Sequence, residues 1–335
     1  MVIASGWLLF LPLRVRPILT KGGPCRPILV EWLIVWSDYR MCSGCDLLGP
    51  ISNYKDWPGL DTHIRKIFSV FVLGMIGLFV MRISAGEWTV VNWAMLLVSS
   101  LCCLLVFRCF VWVFNFSYAL VCIFNGAVIA LLLPSIASLL LGGAMVVYGL
   151  RLFLFVWKRV RSESYRSRVD NIHEEDQKLP FQVKIALWAQ CSFMYTFHLF
   201  ALYMVASAYV LNAWVFVAIA VILLGTFLEA LADEQKQDAK RQNSGTFVTT
   251  GIYARWRHPN YMGEIIVQMG LIIAGIAAVG SGWGNYAAVL IAPAYIILLM
   301  TAESIRADKY QLQHYGDDER YQAYMNLSGS LLPRL

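Results

Sequence analysis

Residues 251–280 read GIYARWRHPNYMGEIIVQMGLIIAGIAAVG: a Gly-led turn with two arginines, a histidine, a proline and an acid, running directly into a long apolar stretch. Pro259 is placed to open a helix, because its fixed φ and missing N–H suit the first helical position. The twenty residues 261–280 then suffice to cross the ~30 Å hydrocarbon core of a bilayer at about 1.5 Å per residue. This segment indicates the fold class, and it also raises the functional question. A membrane helix does not require so much polarity at its mouth.

Composition agrees with the membrane reading. The 335 residues are 59% hydrophobic and 14% charged, against about 45–50% and about 25% for a soluble domain. Apolar runs of membrane length fall near 67–82, 89–107, 110–133, 136–157, 185–208, 212–231, 261–280 and 285–301, the first being the shortest. The expected fold is therefore all-α: a polytopic integral membrane protein of seven to eight transmembrane helices. Residues 1–60 hold apolar runs too short to span and prolines that break them, and read as a poorly ordered or interfacial extension before a transmembrane domain over 61–335. Eight cysteines are scattered without a disulfide framework, and Cys42 and Cys45 form a lone CxxC with no metal-spaced histidine, so no metal is expected. The net charge of +6 is modest, and no nucleic-acid partner is expected.

The connections alternate in character. One set carries Arg65 and Lys66, then Arg108, the Lys158-Arg159-Val160-Arg161 run, the segment 232–260 and the tail from 302. The other set, at 86–88, 134–135, 209–212 and 281–284, carries only Glu87. By the positive-inside rule both termini and the three long polar segments face the cytoplasm, from a bacterial inner membrane or the endoplasmic reticulum. Arginines beside membrane helices commonly act as topological anchors alone. The acids, amides, histidine and tyrosines of 232–260 and the tail go beyond what topology needs.

FLEALADEQKQDAKR (227–241) continues the sixth span as a helix that sets Glu229, Asp233, Lys236 or Gln237, and Lys240 on one face. Glu229 lies inside the apolar run, where an ionisable side chain is costly and points to function. In the turn, Gly251 permits a tight reversal, while Arg255, Arg257 and His258 offer donors suited to phosphate oxygens. Asn260 and Tyr261 occupy the first turn of the next helix, where free N–H groups favour an anion, and Glu264 follows one turn on. In the tail, read as one helix over 301–325, Glu303, Arg306 and Tyr310 share a face. Tyr315, Tyr321 and Tyr324 suit packing at the interface. Earlier, Tyr148 and Arg151 stand one turn apart in the fourth span, with Arg151 about two turns inside its end, a costly place unless paired or snorkelling.

These residues carry a family resemblance. GIYARWRHPNYMGE, with FLEALADEQ upstream and E-x-x-R…Y downstream, resembles the steroid 5-alpha-reductase C-terminal domain family, in its branch of membrane reductases without assigned substrates. The resemblance covers roughly 120–335 and is strongest over 225–335, which it implies to be the cofactor-binding core. It implies reduction of a conjugated carbon–carbon double bond of a lipophilic, steroid- or isoprenoid-like substrate by NADPH. The implied cofactor contacts are Glu229, Asp233 and Lys240, then Asn260, Tyr261 and Glu264, then Arg306 and Tyr310; the donor chemistry of the turn adds Arg255, Arg257 and His258 to this expected site. The YGLR element adds Arg151 as a pyrophosphate contact. Tyr148 becomes the hydroxyl that polarises the substrate, with Glu264 as its catalytic companion. The steroid reductases proper have a Gln-Glu pair in an earlier helix; the first four spans here lack one, Asn115 and Asn125 being the nearest polar candidates.

Two alternatives stay open. The R-H-P-x-Y turn is also similar to isoprenylcysteine and phospholipid methyltransferases, which use S-adenosylmethionine, though Asn260, Glu264 and Asp233 favour the reductase. A membrane protein with a degenerate, inactive site is the third reading. Membrane lipids are the expected surroundings. Oligomeric state does not follow from the sequence.

Overall fold

The computed structural model describes residues 58–243 and 245–334, and the extension up to residue 57, with its CxxC, lies outside the described residues. Eleven α-helices follow among those described. The long ones are α1 (Pro58–Ser84), α2 (Val90–Cys103), α3 (Phe116–Leu132), α4 (Ile136–Val160), α6 (Phe181–His198), α8 (Ala213–Gln242), α9 (Pro259–Ala278) and α10 (Trp283–Tyr315). Shorter are α5 (Arg166–Gln177), α7 (Phe200–Ser207) and α11 (Glu319–Leu327). Eight segments among the described residues are long and apolar enough to cross a membrane, and the chain is an all-α, multi-pass membrane protein.

Local chemistry sets the helix ends. Thr89 and Ser135 each accept from the backbone of the residue three on, in capping boxes with Asn92 and Ser138, and Asn212 caps α8. The α1 helix closes at Gly86, whose φ of +71° lets the Glu87 N–H reach the Arg82 carbonyl. That end is also tied by Arg82, which donates to Asn285 at 2.7 Å and pairs with Glu87 at 3.3 Å.

The polarity of the bundle is the reverse of a soluble protein's. Val70, Leu131, Leu224 and Phe227 point outward and are mostly exposed, ready for lipid, whereas Glu229, Asp233, Glu264, Gln268 and His198 are buried. Because lipid and Leu are equally apolar, close backbone packing must hold the helices together. The most extensive contact is α8 against α9. There Gly225 lies against the Gly263 carbonyl, and a Cβ added at Gly263 would stand 2.7 Å from the backbone nitrogen of Glu229. The α3–α4 contact uses Gly149 in the same way, against the Ala119 carbonyl. These contacts bring Glu229 beside Glu264 and Tyr148 beside Tyr118.

Three boundaries differ from the sequence reading. The first helix starts at Pro58, well before the apolar run. The fifth span is two helices, α6 and α7, joined at Leu199. The tail is not one helix: α10 ends at Tyr315, and the Asp318 side chain accepts from the Arg320 N–H to start α11.

Candidate functional site

Four membrane helices converge on one buried carboxylate and its hydrogen-bond network. Glu264 (α9) takes the Tyr148 hydroxyl (α4) on Oε2. Its Oε1 accepts from the Tyr118 hydroxyl (α3) at 2.8 Å and from Gln268 Nε2, one turn along α9, at 2.6 Å. Tyr118 also lies 3.1 Å from His198 Nε2, at the end of α6, and 3.1 Å from Gln268 Nε2. Tyr148, His198 and Gln268 are fully buried. Polar groups in such a place are worth their desolvation only when mutually bonded, and most of these atoms are.

One turn from Tyr148, Arg151 reaches across to α8. Its guanidinium donates to Glu229 Oε1 at 2.8 Å and to Asp233 Oδ2 at 2.5 Å. The pairing explains how α4 carries an arginine inside its apolar run, and why Glu229 and Asp233 recur at a four-residue step. Glu229 Oε2 is buried and has no hydrogen-bond partner.

The 251–258 turn is held by the tail. Gly251, at φ +61°, packs against Gln235, whose Oε1 accepts the Ile252 N–H at 2.9 Å. Arg257 grips Asp308 through two nitrogens, at 2.9 and 3.1 Å, and donates to the Ser328 carbonyl at 2.5 Å. His258 Nε2 sits 2.8 Å from Asp308 Oδ1, and Ser330 donates to Oδ2 at 2.8 Å. Burial holds the His258 imidazole below its ordinary range, with Asp308 opposing the shift. Around Phe247, Tyr315, Tyr321 and Tyr324 pack ring on ring, and burial pushes the Tyr321 and Tyr324 phenols up to about 12.

The expected site residues therefore divide into groups. Tyr148 and Glu264 meet; Arg151, Glu229 and Asp233 meet one turn away. Asn260 and Tyr261 open α9, the Tyr261 ring stacked on His258 at 5.2 Å, and the Asn260 Oδ1 and Tyr261 hydroxyl are buried with no hydrogen-bond partner. Arg306 pairs with Glu303 at 2.7 Å, and Lys240 bonds the Thr246 carbonyl. Arg257 and His258 are engaged with the tail. Arg255 is exposed, and so is Tyr310, whose ring lies on His314 at 4.1 Å. Neither joins the cluster. Asn115 and Asn125 bond to Val111, and to Met95 and Ser99, not to Glu264. Tyr118, His198 and Gln268 were absent from the sequence reading. A histidine in the middle of an apolar run was the available signal for one of them.

Fold and site together define a class: multi-pass helical membrane proteins that enclose a hydroxyl–carboxylate network next to a buried arginine clamp. A family model described as a protein of unknown function (DUF1295) matches residues 109–327, more than half of the chain, and the protein belongs to that family, which is related to steroid 5-alpha-reductase-like proteins. No curated protein and no solved structure matches the chain.

Proposed function

We propose that the protein is a membrane-embedded, NADPH-dependent oxidoreductase that reduces the carbon–carbon double bond of an enone in a lipophilic substrate of steroid or isoprenoid type. The observation that carries the reading is the contact of the Tyr148 hydroxyl with Glu264, closed off from water and one helical turn from Arg151. Enone reduction has a direct use for such a buried acid–hydroxyl pair, because negative charge develops on the carbonyl oxygen and a positioned O–H stabilises it.

The polar mouth of the bundle fits a nucleotide. The Tyr253 and Tyr261 hydroxyls and Arg159 Nε are donors left without a partner, and Asn260 Oδ1 and Glu229 Oε2 are acceptors in the same condition. Donors of this kind suit phosphate oxygens, and the acceptors suit amide and ribose groups. The Lys- and Arg-rich loops on this side support a cytoplasmic mouth by the positive-inside rule. NADPH, when bound there, supplies the hydride for the β-carbon of the enone. Tyr148 gives its proton to the carbonyl oxygen, and Glu264, held by Tyr118 and Gln268, fixes the direction of that hydroxyl.

The test is ligand-dependent melting of the detergent-purified protein. NADPH should raise the melting temperature in a concentration-dependent way, with S-adenosylmethionine inert. Stabilisation by S-adenosylmethionine alone would replace this reading with the methyltransferase one.

A further inference from the structure

We infer that His198 is the proton-intake end of a relay, His198–Tyr118–Glu264, that re-protonates Tyr148 between turnovers. The inference rests on the reductase reading. Each enone reduced consumes one proton with its hydride, so a Tyr148 that has given up its proton must regain one. Tyr148 is fully buried, and its hydroxyl is hydrogen-bonded to Glu264. From Glu264 the bonded path runs through Tyr118 to His198 and ends there.

Hydrogen counting assigns the direction of each bond. A phenol has one proton and two lone pairs. Tyr118 donates to Glu264 and accepts from Gln268, so its contact with His198 is completed by an Nε2–H from the ring. His198 Nδ1 is then a bare lone pair. That atom is buried and has no hydrogen-bond partner. Tyr195, whose ring lies beside Tyr118, stands outside the path because its hydroxyl donates to the Val113 carbonyl. Packing gives no reason for a half-satisfied imidazole here, since an apolar side chain would avoid its desolvation. An imidazole does what no other side chain here does: it takes a proton on one nitrogen while releasing one from the other.

The transfer balances without redox change. A proton from water that reaches the site binds Nδ1. The Nε2 proton passes to the Tyr118 oxygen and the Tyr118 proton to Glu264 Oε1; the carboxyl group then turns about its Cγ–Cδ bond and hands that proton to the Tyr148 oxygen, which is bonded on the Oε2 side. Tyr148 is a phenol again, Glu264 is a carboxylate again, and Tyr118 keeps one proton; His198 holds its proton on Nδ1 and returns to the Nε2–H tautomer, with the Tyr118 hydroxyl swinging back to Glu264, before the next turnover. Gln268 donates to both Glu264 and Tyr118 and keeps them in register; as an amide it passes nothing on.

The experiment uses the full-length protein in detergent, NADPH and a panel of lipophilic cyclic enones, following NADPH oxidation in single-turnover and steady-state modes. His198→Gln keeps an N–H toward Tyr118 and removes the relay. It should lower kcat by about tenfold or more with KM little changed, while slowing the first turnover by less than about threefold. Imidazole added to His198→Ala should restore steady turnover. Tyr118→Phe breaks the same path and also frees Glu264 on one side, so it should slow the first turnover and slow later turnovers by more; that excess serves as the readout if the His198 variants do not fold. Equal steady rates in wild type and His198→Gln, or first and later turnovers slowed alike with no imidazole rescue, would overturn the relay. Wild-type protein that oxidises NADPH with no enone would instead take down the reductase reading, and the relay with it.

Discussion

Replacing Arg151 by Met removes one cation and leaves two acids facing each other in the bundle. The guanidinium is the hydrogen-bonding partner of both Glu229 and Asp233, at 2.8 and 2.5 Å, and those side chains are only 9% and 7% exposed. Two charge-assisted bonds of about 1.5–3 kcal/mol each are lost. Breaking a buried ion pair by removing one partner costs about 3–5 kcal/mol in general, because the survivor stays buried and uncompensated. The two routes agree on about 3–5 kcal/mol, a large share of a typical folding free energy. Met fills much of the same volume with an unbranched chain, so the loss is electrostatic and not a cavity. Denaturant titration of the ligand-free protein in mild detergent should read this loss directly. The triple variant Arg151→Met, Glu229→Gln, Asp233→Asn should recover most of the stability, since the charges are gone from both sides. If Arg151→Met alone unfolds within about 1 kcal/mol of wild type, the clamp does not hold α4 to α8 and the site geometry drawn from it fails.

Four further outcomes are expected. Gly263→Ala should destabilise by about 1–3 kcal/mol through overpacking, because its Cβ meets backbone of Glu229 at 2.7 Å and no rotamer relieves that; an unchanged melting temperature would contradict the close α8–α9 seam. His258 is held below its ordinary pKa, so the unfolded chain takes up the proton first: its contribution is present above about pH 6.5 and is lost as pH falls below that value. His258→Gln should flatten part of this slope in melting measured across pH 5–8, about the range in which an unperturbed histidine titrates. Tyr148→Phe should leave NADPH binding intact and slow turnover by about 10²-fold or more, and a wild-type rate would remove its assigned role. Arg159→Gln should weaken NADPH binding directly, whereas Arg257→Gln should weaken it only in proportion to the stability lost when Asp308 is released, a difference that titration at matched folded fraction resolves.

What the sequence disclosed followed from local physics. Apolar runs located the spans because lipid demands them, and Glu229 and Arg151 stood out because charge inside such a run is expensive. The tie between Glu229, Asp233 and Arg151 was half legible: the four-residue step gave the face, and only the fold gave the partner. The rest depended on distance along the chain. Tyr118 meets Glu264 across 146 residues and His198 across 80, and no periodicity encodes which tyrosine among sixteen will do so. Tyr310 misled for the opposite reason. A shared helical face with Glu303 and Arg306 is a statement about direction near one axis, and one more turn carries the residue past the end of the bundle into the open.

The turn that first drew notice, RWRHP, is tied to the tail. Arg257 and His258 both converge on Asp308, and the Ser328–Ser330 backbone adds three backbone hydrogen bonds to the same turn: the Gly329 and Ser330 carbonyls accept from the N–H groups of Arg257 and His258, and the Gly329 N–H donates to the Arg255 carbonyl. Asp308 is thus the knot that ties α10, the tail and the start of α9 together. By fixing His258, on which the Tyr261 ring stacks, it holds the first turn of α9 with the Asn260 and Tyr261 polar atoms turned into the protein interior. Arg257 is committed to the tail, Arg151 to two acids and Arg306 to Glu303; under the proposed function the exposed Arg255 and the end of α4 are the candidates for phosphate recognition. Arg159 lies there with an unbonded Nε, close enough to act on the ionisation of Tyr253, whose hydroxyl is likewise unbonded. Under the proposed function, the basic run after the fourth span, which topology alone would explain as an anchor, has a second use.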